Sequence, residues 1–289
     1  MRVRLAVIGD VHLRFDASDV AALDARGYDA LLFVGDLAGY AQRGGVKVAK
    51  VIATLRTPAI VVPGNHDATN AAQLLAEVMH NDAAAALVSR GMSARVAELR
   101  AALGGAALGG YSLHAVRGAD GERIDVVVAR PHSFGGPRLS FRAYLREAFG
   151  VESIEQSTER LCAVIDRVEG ERLIVLAHNG PSGLGDRRDA IWGVDFRPSE
   201  GDHGDVDLRA AIEHARARGK KVIAVVAGHM HRKLRGGGER AWQVREGETL
   251  FVNAARVPRV WREGGARKRC WVEVGIEGER VEAREVVSD

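Results

Sequence analysis

The chain has 289 residues, 46% of them hydrophobic and 27% charged, with 41 Lys and Arg against 38 Asp and Glu. A net charge of +3 excludes a highly charged disordered chain and offers no bulk footprint for nucleic acid. The basic residues are nearly all arginine, 35 against 6 lysines, and arginine is the better bidentate phosphate ligand.

In chain order, Val3 to Gly9 is a short apolar run without helical period, ended by Asp10, and reads as a buried strand. A helix is expected over Ser18 to Arg26 with Ser18 as N-cap. Ala30 to Val34 is the next strand, Gly44 to Arg56 a helix stopped by Pro58, and Ala59 to Val62 the third strand. Residues 69–103 are Ala-rich and helical in pattern, a helical insert with breaks near Asn81-Asp82 and Gly91. The glycine pairs around Ala106 to Leu108 read as strand punctuation. Residues 131–168 form a second insert, a Pro/Gly loop followed by helix, with Ile154, Leu161, Ile165 and Val168 on one apolar face.

Leu173 to Ala177 and Val222 to Ala227 repeat the buried-strand form. Ala241 to Val252, Arg269 to Ile276 and Val281 to Val287 alternate more and are separated by Gly-Glu turns, as antiparallel strands or hairpins do. Alternating strands and helices argue for an α/β fold. With no repeat and no low-complexity linker, residues 1–289 are expected to form a single domain. The lone Cys162 and Cys270 point to neither a disulfide framework nor a zinc ribbon. The apolar N-terminal run is too short for a signal peptide, and no stretch approaches 18 apolar residues, so a cytoplasmic protein without membrane contact is expected.

The strand ends carry the chemistry. Asp10-Val11-His12 follows the first strand, Gly35-Asp36 the second and Gly64-Asn65-His66-Asp67 the third. His178-Asn179 follows LIVLA, and Gly228-His229-Met230-His231 follows VIAVVA. Ligands in open α/β sheets gather at the carboxyl ends of strands, so loops this far apart in sequence can converge. A D-x-H tripeptide or a lone histidine says little. GNH followed by an acid has ~0.004 chance occurrences in such a chain at equal residue frequencies, and five ordered blocks make coincidence negligible.

These blocks resemble the calcineurin-like metallophosphoesterase superfamily, whose pattern is DxH, GD, GNH[DE], H and GHxH, all present between Asp10 and His231. The resemblance implies a four-layer αββα sandwich with two mixed β-sheets and a centre of two divalent metal ions. It implies Asp10, His12 and His231 as ligands of one metal, Asn65, His178 and His229 of the second, and Asp36 as the bridge. His66 and Asp67 match the catalytic positions. Imidazole, carboxylate and amide ligands without thiolate suit Mn²⁺ best, with Fe or Zn as alternatives. The function so implied is hydrolysis of a small anionic phosphate ester or nucleotide by a metal-bridging hydroxide. Protein phosphatase and non-catalytic metal-binding scaffold are the competing readings. Degenerate scaffolds are expected to lose ligands, and none is missing here.

The segments RPHSFGG from Arg130, HNGPSGLGD from His178 and NAARVP from Asn253 further resemble an uncharacterised cyanobacterial and plant-plastid group, which brings no substrate with it. For substrate contact the candidates are Arg187 and Arg188, in a Gly-rich loop after His178, and Arg232 and Arg235, directly after His231. From Arg232 to Arg269 eleven Lys or Arg stand against four Glu, a local +7 that reads as an electrostatic funnel for an anion. His80 and His214 read as surface or packing residues, whereas His132 and His203 lie in polar loops. Aromatic residues are 5% of the chain, too few for the stacking groove of a nuclease.

Overall fold

A computed structural model describes residues 2–195 and 201–289. The first half runs β1 (Arg2–Ile8), α1 (Ala17–Asp24), β2 (Ala30–Phe33), α2 (Gln42–Ile52) and β3 (Ala59–Val61). Three helices follow, α3 (Ala71–Val78), α4 (Asp82–Val88) and α5 (Met92–Ala102), then β4 (Ala107–Leu108), β5 (Ser112–Arg117) and β6 (Arg123–Val128). The second half continues α6 (Arg142–Phe149), α7 (Ile154–Ile165), β7 (Arg172–Leu176), α8 (Val206–Ala217) and β8 (Lys221–Ala227). It ends in β9 (Gln243–Glu246), β10 (Thr249–Asn253), β11 (Val260–Glu263), β12 (Ala266–Glu277) and β13 (Arg280–Ser288).

Two mixed sheets result. In the first, β1 to β4 run parallel side by side, and β12 pairs antiparallel with β1, β11 and β13. In the second, the parallel set β6-β7-β8-β10 is closed by antiparallel β5 and β9. Val3, Leu5, Val7, Leu32 and Val34 of the first sheet pack against Val126, Val128, Ile174, Leu176 and Val226 of the second. The alternate residues, Ala6, Ile8, Leu31, Phe33, Val127 and Val175, face the helices. Strands covered on both sides must be apolar at every position, which is why they appear as unbroken runs in sequence. This is the αββα sandwich, an α/β fold.

Two details depart from the sequence reading. The N-cap of α1 is Asp16, whose Oδ1 accepts the Ser18 N–H at 3.0 Å while Asp19 Oδ2 accepts the Asp16 N–H at 3.0 Å. This reciprocal capping box satisfies two N–H groups at once, and Ser18 spends its hydroxyl on Asp16 instead. The β5–β6 hairpin is not visible in sequence as a pair, because SLHAVR has neither a continuous apolar run nor clean alternation. Of residues 131–168, α7 belongs to the outer layer of the second sheet, beside α8. Among the described residues no helix is long and apolar enough to cross a membrane.

Candidate metal centre

The parallel strands end on one side of the molecule, and the five blocks meet there. Asp10, Asp36, Asn65 and His178 are buried, His12, His66 and His229 half-buried, and His231 exposed. The loops that carry them leave the strands in an unusual backbone conformation. His12 (φ 40°), Leu13 (φ 67°), Asp36 (φ 51°), Ala68 (φ 58°) and His229 (φ 66°) all lie in the left-handed region. Each such non-glycine residue costs of order 1–3 kcal/mol, and strain of this kind persists where it aims functional groups.

The ligand candidates form two groups about one carboxylate. In the first, His12 Nε2 is 3.2 Å from His231 Nε2, which is 3.3 Å from Asp10 Oδ2. The ligand atoms of these three residues lie within 4.8 Å of one another. In the second, Asn65 Oδ1 stands 2.8 Å from His178 Nε2 and 3.0 Å from His229 Nδ1. Asp36 divides its oxygens between them, Oδ2 at 3.8 Å from His12 Nε2 and Oδ1 at 3.6 Å from His178 Nε2.

Surrounding hydrogen bonds fix each ligand's orientation, as outer contacts of metal ligands do. His178 Nδ1 meets the Val34 carbonyl at 2.6 Å, and His12 Nδ1 the Ala38 carbonyl at 3.3 Å. The His229 N–H donates to Asp10 Oδ1 at 3.1 Å, and the His66 N–H to Asp36 Oδ1 at 2.9 Å. Gly228 makes room, since a Cβ there would come within 2.3 Å of Asp10 Oδ1.

These residues fit a pair of cations. Asp10 Oδ2 is buried with His231 Nε2 near it at 3.3 Å but no hydrogen bond of good geometry, a costly state unless a positive charge completes it. Burial alone would raise the Asp10 carboxyl, but the contact with His231 and the charges of His178 and His12 hold it far below its usual range. Burial lowers the His178 and His231 imidazoles, yet the neighbouring Asp36 and Asp10 carboxylates leave both raised. His229 is pushed down to about 3, by burial and then by His178, as suits a ligand that binds through a neutral ring. The donor set is nitrogen and oxygen throughout, without thiolate.

His66 lies beside this pair, its ring 5.3 Å from that of His12 and its Nδ1 2.9 Å from the Gly39 carbonyl. Asp67 lies deeper than His66. Its buried carboxylate takes the N–H groups of Ala38 at 3.0 Å and Gly64 at 2.9 Å, so it ties the GNH loop to the loop after β2 and does not line the cavity. Burial and the nearby Asp36 raise it to about 7. His132, fully buried, braces the same loop through Nδ1 to the Gly64 carbonyl at 2.9 Å.

A cavity of about 370 Å³ opens over Asp36, Asn65, His66, His229 and His231. A larger groove, about 730 Å³, lies between β9–β10 and β12–β13, is lined by arginines and glutamates, and contains none of the five blocks. Of the four candidate arginines, Arg235 lines the 370 Å³ cavity and the other three do not. Arg187 is exposed beside Asp189 at 3.4 Å, and Arg188 donates to the Arg235 carbonyl at 2.8 Å. Arg232 is paired with Glu239 at 2.8 Å and Glu285 at 2.5 Å. Its charge is consumed by an acid of the same run and by Glu285 of β13, and the second partner is one that no local reading of the basic run could show.

The cavity also contains residues the sequence did not single out for it: Arg138, Arg240, Phe134, Glu77 and Val78. Lys233 and His203, noted in sequence, line it too. Arg240 is buried, its guanidinium given to the carbonyls of His231 (2.8 Å), Arg188 (3.0 Å), Ala190 and Gly193, and to Asp195. It therefore holds the loops in place.

The chain belongs to the calcineurin-like phosphoesterase family, whose model matches residues 3–233. That family hydrolyses phosphate esters and generally uses two divalent metal ions. Its fold is similar to that of TT1561 from Thermus thermophilus, at 13% identity and a TM-score of 0.57, covering 98% of this chain and 99% of that one. A dimetal phosphatase from Danio rerio is similar at 12% identity and a TM-score of 0.49, covering 99% and 98% of the two chains. At 13% identity the likeness to TT1561 is one of fold. No curated protein matches the sequence.

Proposed function

We propose that this chain hydrolyses the phosphate ester of a small anionic molecule at a two-cation centre. The observation that carries the reading is the division of Asp36 between the two groups of ligands. Asp10, His12 and His231 would hold one divalent cation, Asn65, His178 and His229 the other, and Asp36 both. The donor set favours Mn²⁺, with Fe or Zn as alternatives. Such a pair would supply a water nucleophile at neutral pH and positive charge for the phosphoryl oxygens.

The chain's own residues do the rest. His66 donates from Nδ1 to the Gly39 carbonyl, so Nε2 is the ring atom left to pass a proton to the departing oxygen. General acid help is worth about 10²–10⁴-fold, against up to ~10²¹-fold for the slowest phosphate monoesters, so His66 supplies a minor share. Lys233 and Arg235, on the loop that follows His231, draw the anion toward the cavity. We read residues 1–289 as one domain in which α3 to α5 narrow the approach to the site.

The test is metal content per chain, followed by hydrolysis of para-nitrophenyl phosphate, its bis-ester and a phosphoseryl peptide with added Mn²⁺. Turnover of either small ester with two metals per chain supports the reading. Two bound metals with no turnover on any of the three overturns it in favour of a metal-binding scaffold.

A further inference from the structure

The reading above uses the polar wall of the 370 Å³ cavity and leaves the opposite chemistry unexplained. Two apolar side chains from separate segments line the same cavity, Val78 at the end of α3 and Phe134 after β6, and Met230, buried in the core between His229 and His231, backs the wall. Phe134 stacks on the buried Phe141, centroids 5.5 Å apart and planes 8° from parallel, and meets the His229 ring edge-on at 6.1 Å. Its ring is thus held firmly at the edge of the ligand cluster. Glu77, in the same wall, accepts the Phe141 N–H at 3.0 Å, and burial favours its uncharged form.

The apolar character continues past the rim. Tyr40 is 76% exposed with its ring 5.4 Å from that of His66, and Met79, beside Val78, is 67% exposed. Large apolar side chains left in water next to a cavity mark a place that receives a ligand. Two cations of the lining have other occupations, Arg138 facing Asp82 at 3.2 Å and Arg240 spent on carbonyls, which assigns Lys233 and Arg235, beside the ligand loop, to the phosphoryl end.

We propose that Val78 and Phe134, backed by the buried Met230, form the subsite for the organic half of the substrate, and that this half is flat and apolar, an aryl or comparable planar group. The assignment rests on the phosphoesterase reading for where the phosphoryl group lies. A cavity of this size lies in the range of small-ligand sites. A polyol set against Phe134 and Val78 would leave the hydroxyls on that face without partners, whereas a ring would bury its faces there. Covering one ring gains at least about tenfold in affinity.

Non-hydrolysable probes separate this proposal from the activity itself. Calorimetry of the Mn²⁺-loaded chain with phenylphosphonate and methylphosphonate gives an affinity ratio, expected to favour phenyl by about tenfold or more. Val78→Asp and Phe134→Leu should each cut that ratio at least about fivefold, with metal content unchanged. A wild-type ratio near one, no binding of either phosphonate, or a ratio preserved in both variants overturns the proposal. If the ratio behaves as expected while no ester is hydrolysed, the hydrolase reading fails and the subsite stands. If esters turn over with a ratio near one, the subsite fails alone.

Discussion

Gly64 lies so close to Asp36 that a Cβ on it would stand 2.2 Å from Asp36 Oδ1, and 2.6 Å from His178 Cε1. The glycine of the GNH block is there because the Asp36 carboxylate and the His178 ring pass close over its Cα. Gly64→Ala should therefore displace Asp36 and His178 without disturbing the core strands. Metal content should fall below one ion per chain while far-ultraviolet circular dichroism stays native. Two ions bound by the alanine variant would show that the contact is soft.

His66 and Asp36 separate chemistry from metal holding. His66→Ala should keep its metals and lose about 10²–10⁴-fold in kcat. Asp36→Ala should lose at least one ion and nearly all turnover. Full occupancy in the Asp36 variant would remove its bridging role.

The basic run after His231 splits into two kinds of residue, and paired substitutions distinguish them. Lys233→Glu should raise KM for para-nitrophenyl phosphate severalfold, with the effect shrinking as salt screens it. Arg232→Ala should leave KM alone and lower Tm by a few degrees, because its partners Glu239 and Glu285 lie outside the cavity. Equal effects of the two on KM would contradict this division.

Glu77 gives a pH dependence of stability. Burial raises its carboxyl from the ordinary 4.5 to about 7, so the folded state holds the proton more tightly than the unfolded state. That contribution is complete below about pH 4.5 and is lost as pH rises through 7. Glu77→Gln, which still accepts the Phe141 N–H, should be more stable than the wild type at pH 8 and show a flatter Tm between about pH 5 and 7. Parallel curves for the two proteins would refute the assignment.

The α/β class and the five blocks were legible because each block is a short peptide directly after an unbroken apolar strand, and the αββα arrangement came with the family resemblance those blocks carry. Packing on both faces of a strand forces that signal, and the left-handed turn at its end fixes where ligands stand. What stayed hidden depends on partners far away in sequence. That the Asp67 carboxylate accepts the N–H groups of Ala38 and Gly64 depends on how two loops meet in the fold. Arg232 looked like a substrate contact until Glu285, on β13, came beside it. Much of the arginine excess goes the same way: Arg259 pairs with Asp19 at 2.9 Å and Arg267 with Asp16 at 2.6 Å, fastening the C-terminal strands to α1. The apolar cavity wall escaped notice because Val78, Phe134 and Met230 share no local pattern.

Asp36 has one negative charge to divide between two groups of ligands, and only one of those groups has a carboxylate of its own. Asp10 strengthens the position shared with His12 and His231, while Asn65, His178 and His229 offer neutral donors. On the two-cation reading, affinity should therefore be graded, with the position beside Asp10 filling first and being the last to be stripped by a chelator. At limiting metal the population is half-loaded, so activity should rise in proportion to free metal as the second position fills, and steepen toward the square only where the first position itself begins to empty.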